Sequence, residues 1–379
     1  MERENNAENA MIRDAVQGWA KKNCSREVAR RWDEEDAVPG SALAELAALG
    51  LCEILVPEAY GGQGRNVKGA CIVTEELAYA SPALAALYAG SAIYGGEIFS
   101  AWGSDEQKKR FLPACAAGEC MVAPVMDNPD AGAGNCVVGP EAVKKNKGFL
   151  ISGETAAVPV ACQADLFLVL ARTGEGHLTM FCIRSGEEGI GVTPTECLGY
   201  HGSAIGRIRL DSFKVSDEDI LGGAEAFGNG WELRSCVLGL LALQAAAQGV
   251  GIARAAFDYA LEHAKQRIQF SQPIGRFMAI RHLFSRNFYM IEAARLMVGK
   301  AAWLADHGES FVLEAAMAKC LAQETARSAS LDGLQVLGGY GYTMEYDAQR
   351  HVRDAAGLNF IGGTSDGLKG RIGDLLQLS

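Results

Sequence analysis

The chain has 379 residues, 49% of them hydrophobic and 21% charged, with a formal net charge of -11. That length and apolar content suit two or three domains with full cores and exclude a disordered chain. The acidic balance excludes nucleic acid as the main partner, because neutralising phosphates takes a large basic surface.

Met1 to Lys22 is charged throughout and has no apolar core, so no secretory signal is expected there. From Ala7 to Phe111 apolar residues recur at helical spacing, as in Leu43, Leu46 and Leu49, broken by the turn segment Pro57 to Gly64. From about Gly118 to Gly222 the texture changes to short β-branched and aromatic runs: Phe149 to Ser152, Leu166 to Ala171, Leu178 to Ile183 and Ile208 to Leu210. A small β domain is expected there, with the charged cluster Lys144 to Gly148 as a solvated hairpin turn. Helical patterns return from Trp231 onward, interrupted at Gly338-Gly339-Tyr340-Gly341. The uncharged run Ser235 to Ala253 could span a bilayer, but its glycines, glutamines and alanines favour a buried core helix, and no membrane association is expected. The domains so drawn are 1–117, 118–225 and 226–379.

Eleven cysteines with no CxxC pair read as buried thiols in a reducing cytoplasm. The six histidines have no metal-ligand spacing, so no metal is expected. Gly338-Gly339-Tyr340-Gly341 follows a helix rather than a strand and is not a dinucleotide phosphate loop.

Six collinear segments carry a resemblance: Pro57-Glu58-Ala59-Tyr60-Gly61-Gly62, Trp102 to Lys109, Ala164-Asp165-Leu166-Phe167, Leu198-Gly199-Tyr200-His201-Gly202-Ser203, Arg267-Ile268-Gln269-Phe270, and Gln335 to Tyr342. In this order and spacing they resemble acyl-CoA dehydrogenases over about residues 51–370. The resemblance implies a mostly α fold with a central β domain: an N-terminal helical domain, a middle β domain and a C-terminal four-helix bundle, in a dimer or a tetramer built as a dimer of dimers. It also implies FAD as cofactor, an acyl-CoA thioester as substrate and electron transfer flavoprotein as partner. In that chemistry a carboxylate takes the α proton while the β hydride passes to the flavin.

Carried onto this sequence, the family's usual base, a glutamate before Gly-Thr, falls on Gly362 in Phe360-Ile361-Gly362-Gly363-Thr364. The alternative position, on the first long helix of the C-terminal bundle, falls on the apolar stretch Gly239 to Leu243. The flavin-facing Trp-Ile-Thr segment becomes Ala157-Val158-Pro159, which lacks an aromatic wall and a hydroxyl, and proline also lacks an N–H. The preceding motif reads Met126-Asp127-Asn128-Pro129 and Gly132-Ala133-Gly134; Asp127 is either a charge opposing the reduced flavin or a solvated turn residue. The dinucleotide end is better kept. Arg267, Phe270, Gln335, Gly338, Gly339 and Thr364 match cofactor-contacting positions, although Ser271 replaces a glycine and Met278 a glutamine. Arg254 to Arg286 holds six Lys/Arg against two acids, which suits an anion site. Against this stands a helix-end role for Arg267, paired with an acid. Glu97, on the helix that in relatives lines the acyl pocket, is the one candidate for a relocated base; the plainer reading has it facing solvent or capping a helix. Asp366 is expected at a helix N-terminus, and His201 stands where many relatives have arginine.

Three readings follow. The chain is a catalytically incomplete subunit of a heteromeric acyl-CoA dehydrogenase, whose partner supplies the base and the flavin-contacting segment. It is a self-sufficient dehydrogenase with a base such as Glu97. Or it is a non-redox CoA-thioester-binding homologue. Only the first accounts for lost flavin positions beside a kept Arg267 and Gln335.

Overall fold

The computed structural model describes residues 2–126, 139–145, 148–174 and 176–377. The N-terminal region runs through α1 (Glu2–Asn23), α2 (Arg26–Glu34), α3 (Gly40–Ala48), α4 (Val67–Ala80), α5 (Pro82–Tyr88), α6 (Gly96–Trp102) and α7 (Asp105–Ala116). Several helix starts are set by short side chains accepting orphan backbone N–H groups. Asn66 accepts from Gly69 N at 2.7 Å, and Ser104 with Gln107 forms a reciprocal capping box on α7. Between α5 and α6, Ala89–Gly95 forms a widened helical turn. It lies so close to its neighbours that a Cβ on Gly90 would fall 2.3 Å from Met121 Sδ, and one on Gly95 2.4 Å from Cys115 Sγ. Every residue from Ser81 to Phe99 is buried, which makes this helical stretch the spine between the N-terminal helices and the sheet.

The middle region is a seven-stranded sheet of β1 (Val122–Val125), β2 (Glu141–Lys145), β3 (Gly148–Val158), β4 (Leu166–Arg172), β5 (Leu178–Arg184), β6 (Ile190–Pro194) and β7 (Gly206–Ser216). Its order is β1-β4-β2-β3-β7-β6, with β5 also on β4; β1 and β4 run parallel. Lys145 pairs with Gly148 across the β2–β3 hairpin, whose tip at 146–147 lies outside the described residues.

The C-terminal region is built on α8 (Gly230–Gln266), the small hairpin of β8 (Ile268–Gln269) and β9 (Gln272–Pro273), α9 (Met278–Asp306), α10 (Val312–Leu337), α11 (Ala348–Gly357) and α12 (Ser365–Leu375). Small residues let the axes approach: a Cβ on Gly249 would meet Ala322 at 3.1 Å, and one on Gly251 would meet the Glu75 carbonyl of α4 at 2.3 Å. The most apolar window of α8 is 83% buried, so this is a core helix, as its composition implied.

The expectation of buried cysteines needs correction. Cys162 is exposed and Cys197, Cys236 and Cys320 are partly so, while burial pushes the Cys24 and Cys52 thiols up to about 12. Cys136 lies outside the described residues.

Candidate active site

Between α11 and α12 the chain turns through Gly362 and Gly363, at φ +72° and +102°. The turn sits directly on α8: a Cβ on Gly362 would fall 2.7 Å from both the Leu241 carbonyl oxygen and Ala245 Cβ. The two positions where the resemblance would put a base therefore meet in space, and both are apolar. The polar side chains on this part of α8 are neutral and already bonded. Gln244 Oε1 accepts from Thr74 Oγ1 at 2.8 Å, and Gln248 Oε1 accepts from Tyr200 Oη at 3.0 Å. Beneath the turn the fully buried Lys319 of α10 donates to the Gly363 carbonyl and to Gln323 Oε1. Burial pulls its ammonium from 10.5 down to about 8. No carboxylate lies within ion-pair reach of it among the described residues. Thr364 accepts from Gly367 N at 3.2 Å and so caps α12, with Asp366 in the first turn as expected.

At the end of β3, Ala157 and Val160 both have positive φ, +55° and +56°, and the β3–β7 register shifts between Thr155 and Val158. A left-handed L-residue costs about 1–2 kcal/mol, and a β-branched one is a marked outlier. Ala157 is exposed, while Val158 and Val160 are buried, so the segment offers no side-chain hydrogen-bond donor. Asp127 and the rest of its motif through Gly134 lie outside the described residues.

Arg267 follows directly on α8 and is exposed, its guanidinium 6.0 Å from the Tyr340 ring centroid. It has no acid partner among the described residues, which answers the helix-end expectation. Gly338 and Gly339 are open on their outer side, with nothing within 4 Å of an added Cβ. The Gly338 N–H bonds to the Gln335 backbone carbonyl, and the Gln335 residue is exposed. Phe270 is 88% exposed at the β8–β9 turn, where Phe270 and Ser271 take φ +50° and +64°. Ser271 thus keeps the conformation a glycine would favour. Arg267 and the glycine turn share one face with the donors that a dinucleotide pyrophosphate takes. The Ala157 segment offers a flavin ring no side-chain donor.

Glu97 is in the first turn of α6 but is 6% exposed, so it does not face solvent. Its carboxylate accepts from Arg65 Nε at 2.9 Å and Nη2 at 2.6 Å, and Arg65 Nη1 donates to the Ala305 carbonyl at the end of α9. The pair ties α6 to α9. His201 Nε2 lies 2.9 Å from the Cys197 carbonyl and Nδ1 3.0 Å from that of Asp33, whose carboxylate is held by Arg353. Lys319 and Arg65 were missed in the sequence. The available signal for Lys319 is a lone cation within Ala315-Ala316-Met317-Ala318-Lys319-Cys320-Leu321-Ala322, a run that must be buried.

Helices, a central sheet and a helical bundle, with a C-terminal turn closing onto α8, define the acyl-CoA dehydrogenase architecture. A solved glutaryl-CoA dehydrogenase in complex with glutaryl-CoA superposes at a TM-score of 0.91, with 32% identity over 98% of this chain and 96% of that one. A chain from a study of the electron transferring flavoprotein of Acidaminococcus fermentans also gives 0.91, at 26% identity over 98% of both chains. Residues 6–119 match the acyl-CoA dehydrogenase N-terminal domain and residues 228–376 its C-terminal domain. A probable acyl-CoA dehydrogenase of Bacillus subtilis is 32% identical over 95% of each chain. The glutaryl-CoA dehydrogenase of Desulfococcus multivorans is 33% identical over 89% of this chain and 88% of its own. The chain belongs to the acyl-CoA dehydrogenase family.

Proposed function

We propose that this chain is the catalytically incomplete subunit of a heteromeric, FAD-dependent acyl-CoA dehydrogenase that desaturates an acyl-CoA thioester between its α and β carbons. The observation that carries the reading is the closed contact of Gly362 with Leu241 and Ala245, which leaves neither a carboxylate nor room for one at the family's base positions. The partner, a second acyl-CoA dehydrogenase-like subunit, supplies the base and the wall of the flavin ring. This chain contributes Arg267, Gln335, Phe270 and the Gly338–Gly339 turn to the pyrophosphate and adenosine of the partner's FAD. Bound there, FAD supplies the acceptor for the β hydride. Arg267 neutralises and orients the pyrophosphate, and the glycine turn lets backbone approach it. Thr364 stays a helix cap. The likeness to the chain from the Acidaminococcus flavoprotein study supports electron transfer flavoprotein as the electron acceptor. The assembly is a cytoplasmic dimer or tetramer.

Engagement of both Glu97 oxygens by Arg65, Oε1 by Nη2 at 2.6 Å and Oε2 by Nε at 3.2 Å, speaks against a relocated base. The test is the flavin absorbance spectrum and acyl-CoA turnover, with an artificial acceptor, of the chain purified alone and co-expressed with a second acyl-CoA dehydrogenase-like chain. Alone it is expected to carry substoichiometric FAD and to turn over negligibly. A yellow homomer with one FAD per chain and robust turnover would contradict the proposal.

A further inference from the structure

A cavity of about 430 Å³ lies where α1, α4, α8 and α11 meet, within the range of small-molecule sites. None of the residues around it belongs to the Gly362 turn or the Gly338–Gly339 turn. Two neighbours on α11, Arg350 and His351, face it and are 5% and 9% exposed.

Arg350 is the unusual member. Its Nε is buried without a hydrogen-bond partner, and the guanidinium makes no hydrogen bond to any described residue. Its ionic neighbour is Asp347, with Oδ1 3.5 Å from Nε, but that carboxylate is already held by Arg30 through Nε at 3.2 Å and Nη2 at 3.1 Å. Asp354, one turn along α11, spends an oxygen on the Tyr200 N–H. A buried guanidinium with idle donors is costly unless something accepts from it. His351 also makes no side-chain hydrogen bond among the described residues; burial holds its ring down to about 3, so it presents a neutral imidazole.

The charges around the cavity favour an anion. Four cations (Lys21, Arg26, Arg254, Arg350) stand against Glu76 and Asp258, with Arg26 paired to Glu262 and Arg254 to Glu75 and Glu76. Both acids are engaged, Glu76 by Arg13 and Arg254 and Asp258 by the Tyr79 hydroxyl. The rest of the wall includes Ala20, Ala80, Ala255 and Cys24, whose thiol is raised to about 12 and so is inert. A planar fork of donors beside an apolar wall matches a carboxylate on a small apolar body.

We propose that this cavity binds a small organic carboxylate, with the carboxylate on the idle donors of Arg350 and His351 and the apolar part against Ala20, Ala80 and Ala255. Titration calorimetry on the full chain at constant ionic strength tests it, with propionate, benzoate and inorganic phosphate as probes and chloride as the control. Saturable binding of propionate or benzoate is expected, weakened at least tenfold by Arg350→Gln. Because Arg350→Gln also removes a buried charge near Asp347 and Asp354, Ala20→Leu serves as a second variant. It fills the cavity, leaves every charge in place, and is expected to weaken binding as much. No saturable carboxylate binding by the wild type, binding unchanged in Ala20→Leu, or phosphate bound more tightly than either carboxylate would each overturn the proposal.

Discussion

Gly362 is held by geometry from two sides. Its φ of +72° is strained for any side chain, and α8 stands where a Cβ would go. With about 1–2 kcal/mol for the left-handed backbone and roughly 1–3 for overpacking, Gly362→Ala is expected to destabilise the protein by about 2–5 kcal/mol. The midpoint of urea unfolding checks this, and an unchanged midpoint would mean that the contact with α8 is loose. For the same reason Gly362→Glu alone is expected to create no dehydrogenase activity. Lys319 gives a pH signature. The native lysine releases its proton near pH 8, the unfolded one near 10.5, so between these values the unfolded chain binds more protons and stability rises with pH. Below about pH 8 both states are charged, and the native state bears the whole cost of burying the ammonium. The stability of wild type relative to Lys319→Met should therefore rise by on the order of 3 kcal/mol between pH 7 and 10.5. Urea unfolding at both pH values measures it, and a difference that does not change with pH would contradict the desolvated lysine. Neither residue's role was legible in the sequence. A glycine shows its missing side chain but not the backbone pressed against it, and a lysine reads as surface until its helix is seen to be buried all round.

At the scale of elements, the helices were legible because apolar spacing and caps repeat over many residues, and β3, β4, β5 and β7 because each holds a short run of apolar, β-branched or aromatic residues between turn signals. The strands that escaped are short or irregular. β1 is four residues with Pro124 inside, β2 has the charged pattern Glu141-Ala142-Val143-Lys144-Lys145, and β6 is half exposed with Gly191 and Pro194. Joints between elements were not legible at all, because they depend on which faces meet. Two of them can be probed. Gly251→Ala would push α8 off the Glu75 carbonyl of α4 and is expected to cost about 1–3 kcal/mol. Calorimetric melting tests it, and an unshifted melting temperature would contradict the close approach. Glu97→Gln breaks the ion pair joining α6 to Arg65 and the end of α9. Half-exposure of Arg65 softens the loss, so about 1–2 kcal/mol is expected, with acyl-CoA turnover of the co-expressed complex unchanged. Loss of turnover without loss of stability would instead make Glu97 the base.

At the scale of the whole molecule, the architecture was legible because collinear motifs between Pro57 and Tyr342 point to one fold, and the match at both terminal domains bears this out. What the molecule does with that fold rests on a division the sequence already hinted at. On the proposed reading the positions for base and flavin ring are lost, while the surface of Arg267, Gln335 and the glycine turn is kept; Gly338 and Gly339 stand open. A cationic side chain such as Arg267, exposed and without an acid partner among the described residues, is what a subunit needs if it grips a cofactor seated in its neighbour. The most direct test is a flavin count combined with native mass measurement on the co-expressed complex, for wild type and Arg267→Ala. The account predicts one FAD for each pair of unlike chains. It also predicts FAD retention about ten- to a hundredfold weaker in Arg267→Ala, since a charge-assisted bond to pyrophosphate is worth roughly 1.5–3 kcal/mol. One FAD on every chain, or retention unchanged in Arg267→Ala, would contradict it.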